Sequence, residues 1–132
     1  EMSMGRMMDA VADADVIITN PEHFSVALVY DPSRDSAPTV VAKGGDLVAL
    51  AIRERGADAS VPLFASPLLA RALYFTTEVD QPVPESLYYA VAQVIAYVFS
   101  LSSFEAGGQG IAKPNPDIPG DLRFDSNGNL QS

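Results

Sequence analysis

The chain has 132 residues, 48% of them hydrophobic, which suits one compact domain with a core and a tail. Seventeen acidic against eight basic residues give a formal net charge of -9, which argues against direct binding to nucleic acid or an anionic membrane and favours protein partners. The absence of cysteine and the presence of one histidine exclude disulfides, thiolate nucleophiles, cysteine-ligated zinc and a histidine-rich metal site. No metal and no cofactor are therefore expected.

Residues 1–14 place Met4, Met7, Met8 and Val11 at helical spacing, and the start at Glu1 reads as the beginning of a fragment of something longer. Asp15–Thr19 and Ser25–Tyr30 are β-branched and apolar, as buried strands are, with Asn20-Pro21-Glu22-His23 as the break between them. A polar loop, Asp31–Pro38, leads to a third strand, Thr39–Ala42. Lys43-Gly44-Gly45 follows, with Asp46 as the N-cap of a helix through Arg55 that Gly56 should stop. Val61–Ala65 reads as a short fourth strand. Ser66 and Pro67 open a helix through Tyr74, and Pro84 opens the longest one, Glu85–Leu101, with an apolar stripe of Leu87, Val91, Val94, Val98 and Leu101. Its apolar run from Ala90 to Leu101 falls well short of the roughly 20 residues that span a bilayer.

The expected fold is α/β: a sheet of about four strands with helices packed around it, a long N-terminal helix and an extended C-terminal tail. Three parts follow: a linker helix over 1–14, an α/β domain over 15–104, and a Gly/Pro-rich flexible tail over 105–132, where Gly and Pro punctuate a stretch without apolar period.

Asn20-Pro21 carries the candidate chemistry. Pro21 has no N–H, so the common attack of the following amide on an Asn side chain is closed. The Asn20 carboxamide nitrogen can instead add to its own main-chain carbonyl, forming a succinimide and expelling Pro21 as a new amino terminus. Such a step needs a strained turn, a proton shuttle and a polarised carbonyl. His23 can accept the carboxamide proton or pass one to the departing Pro21 nitrogen. Asn-Pro is also an ordinary turn dipeptide, and four residues alone decide little.

Other arrangements carry less. Lys43-Gly44-Gly45-Asp46 lacks the glycine spacing of a nucleotide loop and would set a carboxylate where phosphate should sit. Ser25 lies inside a strand two residues from His23, without a nucleophile elbow. Glu78, Asp80 and Glu85 read as a solvated loop and a favourable charge at a helix start.

The runs DVIITNPEHFSVALVYDP, APTVVAKGGD, VPLFASPLLARALY and VPESLYYAVAQVIAYVFSL, in order over about residues 5 to 104, resemble the cytoplasmic C-terminal domain of the FlhB/YscU family of type III export proteins. Ala106-Gly107-Gly108-Gln109 after the long helix resembles the flagellar branch more than the injectisome branch. The resemblance implies a domain at the cytoplasmic face of the bacterial inner membrane, held by a transmembrane region missing here. It implies single-turnover self-cleavage at Asn20-Pro21, assisted by His23, and no multiple-turnover enzyme. Cleavage would switch export from rod and hook to filament proteins, with other export apparatus proteins, a secreted hook-length-control protein and exported rod and hook substrates as partners. Glu22 stands where the family has Thr; beside His23 a carboxylate would raise the histidine pKa or simply face solvent. Phe64, Ala65, Pro67 and Leu68 are expected either to receive an exported peptide or to pack in the core. The competing readings are an injectisome homologue and a protein-interaction module that never cleaves.

Overall fold

The computed structural model describes residues 3–33, 37–105, 107 and 110–131. The elements run α1 (Met4–Val11), β1 (Val16–Asn20), β2 (Phe24–Val29), β3 (Thr39–Gly45), α2 (Asp46–Asp58), β4 (Leu63–Ala65), α3 (Pro67–Thr76), a 3-10 turn (Glu85–Leu87), α4 (Tyr88–Glu105) and a last 3-10 turn (Gly120–Leu122). The sheet order is β3-β2-β1-β4. β1 and β2 form an antiparallel hairpin from Val16↔Leu28 to Asn20↔Phe24, and β4 adds parallel to β1.

β1 is apolar without alternation because both of its faces are covered. Val16, Ile18, Val26 and Leu28 point to the side packed by α3 and α4, with Leu69, Leu73, Val91 and Val94. Ile17, Ala27 and Ala42 point the other way, against Met7 and Val11 of α1 and Ile52 of α2. Each isoleucine fully buried in this way contributes about 1.5–3 kcal/mol. The expected α/β layering is the observed one.

Several boundaries differ from the sequence expectation. The first helix is only eight residues long. Asp46 is not the N-cap of α2: Gly45 takes that position in extended conformation, and Asp46 is the first helical residue, at φ +51°. Gly56 does not stop α2, which runs to Asp58. Its hydrogen faces Ile17, where a Cβ would overlap Ile17 Cδ1, so this glycine serves helix-to-strand packing. The fourth strand loses Val61 and Pro62, and the apolar stripe of α4 ends at Val98, because Leu101 is 39% exposed.

The tail departs furthest from expectation. It is largely without helix or strand, yet Ile118 lies in the α3/α4 core and Pro116 is buried. Arg123 holds the Ile118 carbonyl and Asp117, and Phe124 pairs with Leu130 in an isolated antiparallel bridge. The segment from 110 to 131 therefore folds back on the domain where a flexible tail was expected.

Candidate functional site

β1 delivers Asn20 to the end of the hairpin, and the His23 N–H donates to the Asn20 carbonyl oxygen at 2.6 Å, closing a turn around Pro21 and Glu22. Pro21 suits this position because its ring presets φ near the value a turn needs. Pro21, Glu22 and His23 are exposed, whereas Asn20 is 5% exposed. The carbonyl that receives the His23 N–H is that of the Asn20–Pro21 peptide bond itself. A donor fixed on this oxygen draws charge from the carbonyl carbon and stabilises an oxyanion if a nucleophile adds there.

The Asn20 carboxamide nitrogen is buried and without a hydrogen-bond partner among the described residues. Burial of an unsatisfied amide costs about 1–3 kcal/mol, a cost that the fold bears at the residue whose side chain lies closest along the chain to the polarised carbonyl.

The turn is also anchored from outside. The Asp46 N–H donates to the His23 carbonyl at 2.9 Å, so the start of α2 is tied to the turn. Behind it, Phe24 stacks on Tyr74 at 4.3 Å between ring centroids and meets Phe75 edge-on at 5.3 Å. Lys43 Nζ donates to the Tyr74 carbonyl at 2.9 Å and sits 5.1 Å from the centre of its ring.

The structure brings Asn20, Pro21 and His23 together, but the His23 contribution seen is its backbone N–H. No side-chain hydrogen bond joins its ring to Asn20, and no ion pair joins it to Glu22, among the described residues; Glu22 faces solvent. Phe64, Ala65, Pro67 and Leu68 line a cavity of about 210 Å³ whose other wall is Pro114, Asn115 and Pro116 of the tail. Lys113 Nζ lies 5.3 Å from the Phe64 ring centre, so this depression is roofed by the chain itself. It lies next to the turn in the sheet, since Ala65 pairs with Thr19.

A larger open groove of about 580 Å³ was not foreseen; Tyr30, Pro38, Tyr88, Ile95, Ala96 and Phe99 line it. Its sequence signal is that Tyr88 and Phe99 are apolar yet fall off the buried stripe of α4, and both stand more than 40% exposed. Among the described residues no group of three or more His, Asp or Glu side chains is placed to hold a metal ion.

A family model described as the FlhB HrpN YscU SpaS Family matches residues 1–98. The chain is 53% identical over 121 residues to the flagellar biosynthetic protein FlhB of Salmonella typhimurium, covering 90% of this chain and 32% of that protein. It is 48% identical over 99 residues to FlhB of Bacillus subtilis, covering 75% of this chain and 28% of that protein. The chain thus spans about a third of the length of these relatives. Among solved structures, it is similar to the crystal structure of the cytoplasmic domain of FlhB from Shewanella putrefaciens, with a TM-score of 0.85, 47% identity, and coverage of 92% of this chain and 96% of that one. The crystal structure of a mutated EscU C-terminal domain matches with a TM-score of 0.66 and 28% identity, over 69% of this chain and 91% of that one.

Proposed function

The chain belongs to the FlhB HrpN YscU SpaS family, and from that premise we propose that it cuts itself once, between Asn20 and Pro21, as the cytoplasmic domain of a flagellar type III export component. The flagellar system is preferred to the injectisome because the FlhB relative is 53% identical and the EscU domain 28%. Cleavage takes part in switching export from rod and hook to filament proteins. The domain works at the cytoplasmic face of the inner membrane with other export proteins, a secreted hook-length-control protein and exported substrates.

The observation that carries this reading is the pairing of a buried, unpartnered Asn20 carboxamide nitrogen with an Asn20 carbonyl already polarised by the His23 N–H. In the reaction the carboxamide nitrogen bonds to the Asn20 carbonyl carbon and the Asn20–Pro21 C–N bond breaks. The proton lost by the carboxamide passes to the Pro21 nitrogen, leaving a succinimide at Asn20 and a secondary amine at Pro21. The exposed His23 ring shuttles that proton with solvent. The β1–β2 ladder keeps both pieces together afterwards, so the cut changes the local surface while the fold persists.

Of the two apolar depressions, the open groove against α4 has room for an exported segment, whereas the one at Phe64, Ala65, Pro67 and Leu68 is partly filled by the tail. Intact mass under denaturing conditions tests the cleavage. Two species, one ending at Asn20 and one starting at Pro21, are expected, with a single species for Asn20→Ala. One full-length species in both proteins would sink the reading and leave a non-cleaving interaction module.

A further inference from the structure

We propose that Phe124, far along the tail, is a positioning residue for the Asn20-Pro21 turn, acting through Phe75 and Phe24; the consequence for cleavage rests on the reading above, the mechanical coupling does not. Phe24 is the first residue after the turn and the register partner of Asn20. Its ring is confined on two sides. A Cβ on Gly45 of β3 would already stand 3.4 Å from Phe24 Cε1, and on the other side lie Tyr74 and Phe75. Phe75 in turn meets Phe124 at 5.5 Å between centroids.

The tail is built to hold Phe124 there. Arg71 Nε of α3 donates to the Phe124 carbonyl. The Asp125 carboxylate accepts the N–H groups of Asn127 and Asn129, both at 2.9 Å, which shapes the turn between Phe124 and Leu130. That turn sets Gly128 at φ +84° so close to Phe75 that a Cβ would lie 2.9 Å from its ring. Only glycine combines this conformation with this approach. Ile118, 1% exposed, fixes the start of the segment in the core.

The tail thus presses Phe75 against Phe24, and Phe24 fixes the backbone that sends the His23 N–H to the Asn20 carbonyl. Phe24 is buried and Phe75 and Phe124 are half-buried, so the ring-to-ring contacts, with Gly128 closing on Phe75, are what limit movement of the Phe24 ring. If the clamp is loosened, Phe24 gains freedom and the turn spends less time in the geometry that polarises the carbonyl. A misplacement of about 1 Å at a reacting centre costs up to 100-fold in rate, so a partial loosening should cost about 10-fold.

The test uses the whole chain in three forms: native, Phe124→Ala and Phe124→Tyr. Cleavage is followed after pulse-labelled cell-free synthesis as the appearance of the piece starting at Pro21. In parallel, amide exchange of His23 is measured in Asn20→Ala chains with and without Phe124→Ala. The expected result is cleavage about 10-fold slower for Phe124→Ala and near native for Phe124→Tyr, with His23 exchanging several-fold faster when the ring is lost. Equal cleavage rates and equal exchange overturn the proposal, and so does equal slowing by Ala and Tyr. If no form cleaves, the self-cleavage reading fails, and the His23 exchange alone still decides whether the tail reaches the turn.

Discussion

The backbone N–H of Asp46 donates to the carbonyl of His23 at 2.9 Å, and it does so from a left-handed conformation, φ +51°, that a residue with a Cβ adopts at a cost. Asp tolerates this region better than most residues, and the penalty is about 1 kcal/mol. A β-branched residue tolerates it least. Asp46→Val is expected to lower stability by about 1–2 kcal/mol, and Asp46→Gly to stay within about 0.5 kcal/mol of native, because relief of strain offsets added freedom in the unfolded chain. Urea unfolding in the uncut Asn20→Ala background reads both.

The backbone of His23, rather than its ring, contacts the Asn20–Pro21 peptide bond. Replacing the His23 N–H by an ester oxygen through semisynthesis should slow cleavage by about 100-fold or more, the usual cost of one oxyanion donor. His23→Ala, which keeps the N–H, should slow it by less. Glu22→Thr should change the rate of the proposed cleavage by no more than about 3-fold, since the Glu22 side chain faces solvent. Mass-resolved cleavage time courses rank the variants, and a larger loss for His23→Ala than for the ester would make the ring the main actor.

At Gly56 two effects oppose each other. Alanine is the better helix former by about 1 kcal/mol, but its Cβ would overlap Ile17 Cδ1 in a filled core, a cost of about 1–3 kcal/mol. Net destabilisation is expected for Gly56→Ala. Ile17→Val removes the colliding methyl, so the double variant should be more stable than the sum of the single changes predicts. Additive thermal shifts would mean that the two sites do not meet.

The groove against α4 offers a site that can be blocked without touching the core. Ala96 lines it and is exposed, so Ala96→Glu should leave stability within about 0.5 kcal/mol while placing a charge where an apolar segment would sit. Less hook protein in the culture medium of cells carrying this variant, at unchanged amounts of the domain, is the expected outcome. Unchanged export would remove the groove from the pathway.

The sheet was legible because DVIIT and SVALVY combine β-branching with short apolar runs bounded by turn residues, a pattern that suits a strand covered on both faces. Asn20 and Pro21 were legible as chemistry from their identities alone. Burial of the Asn20 carboxamide and the role of the His23 N–H were not, because they depend on where the chain turns in three dimensions. Asp46 looked like a cap since Asp often is one; the need to reach the His23 carbonyl moved the cap back to Gly45. The tail misled most. Its anchors, Ile118 and Phe124, are isolated apolar residues among Gly and Pro, and periodicity carries no signal for partners about 50 residues away in sequence, as Arg71 is from Phe124.

β1 lies inside the sheet, flanked by β2 and β4. If the proposed cut after Asn20 is made, the polypeptide carrying α1 and β1 becomes a separate molecule that supplies an internal strand to its counterpart. The product is then a heterodimer, and its melting obeys mass action: the midpoint should fall on dilution, as it does for any two-chain complex, while the uncut protein melts at a concentration-independent temperature. Exchange of that strand with a free copy requires opening ladders on both edges, so the two halves should exchange slowly.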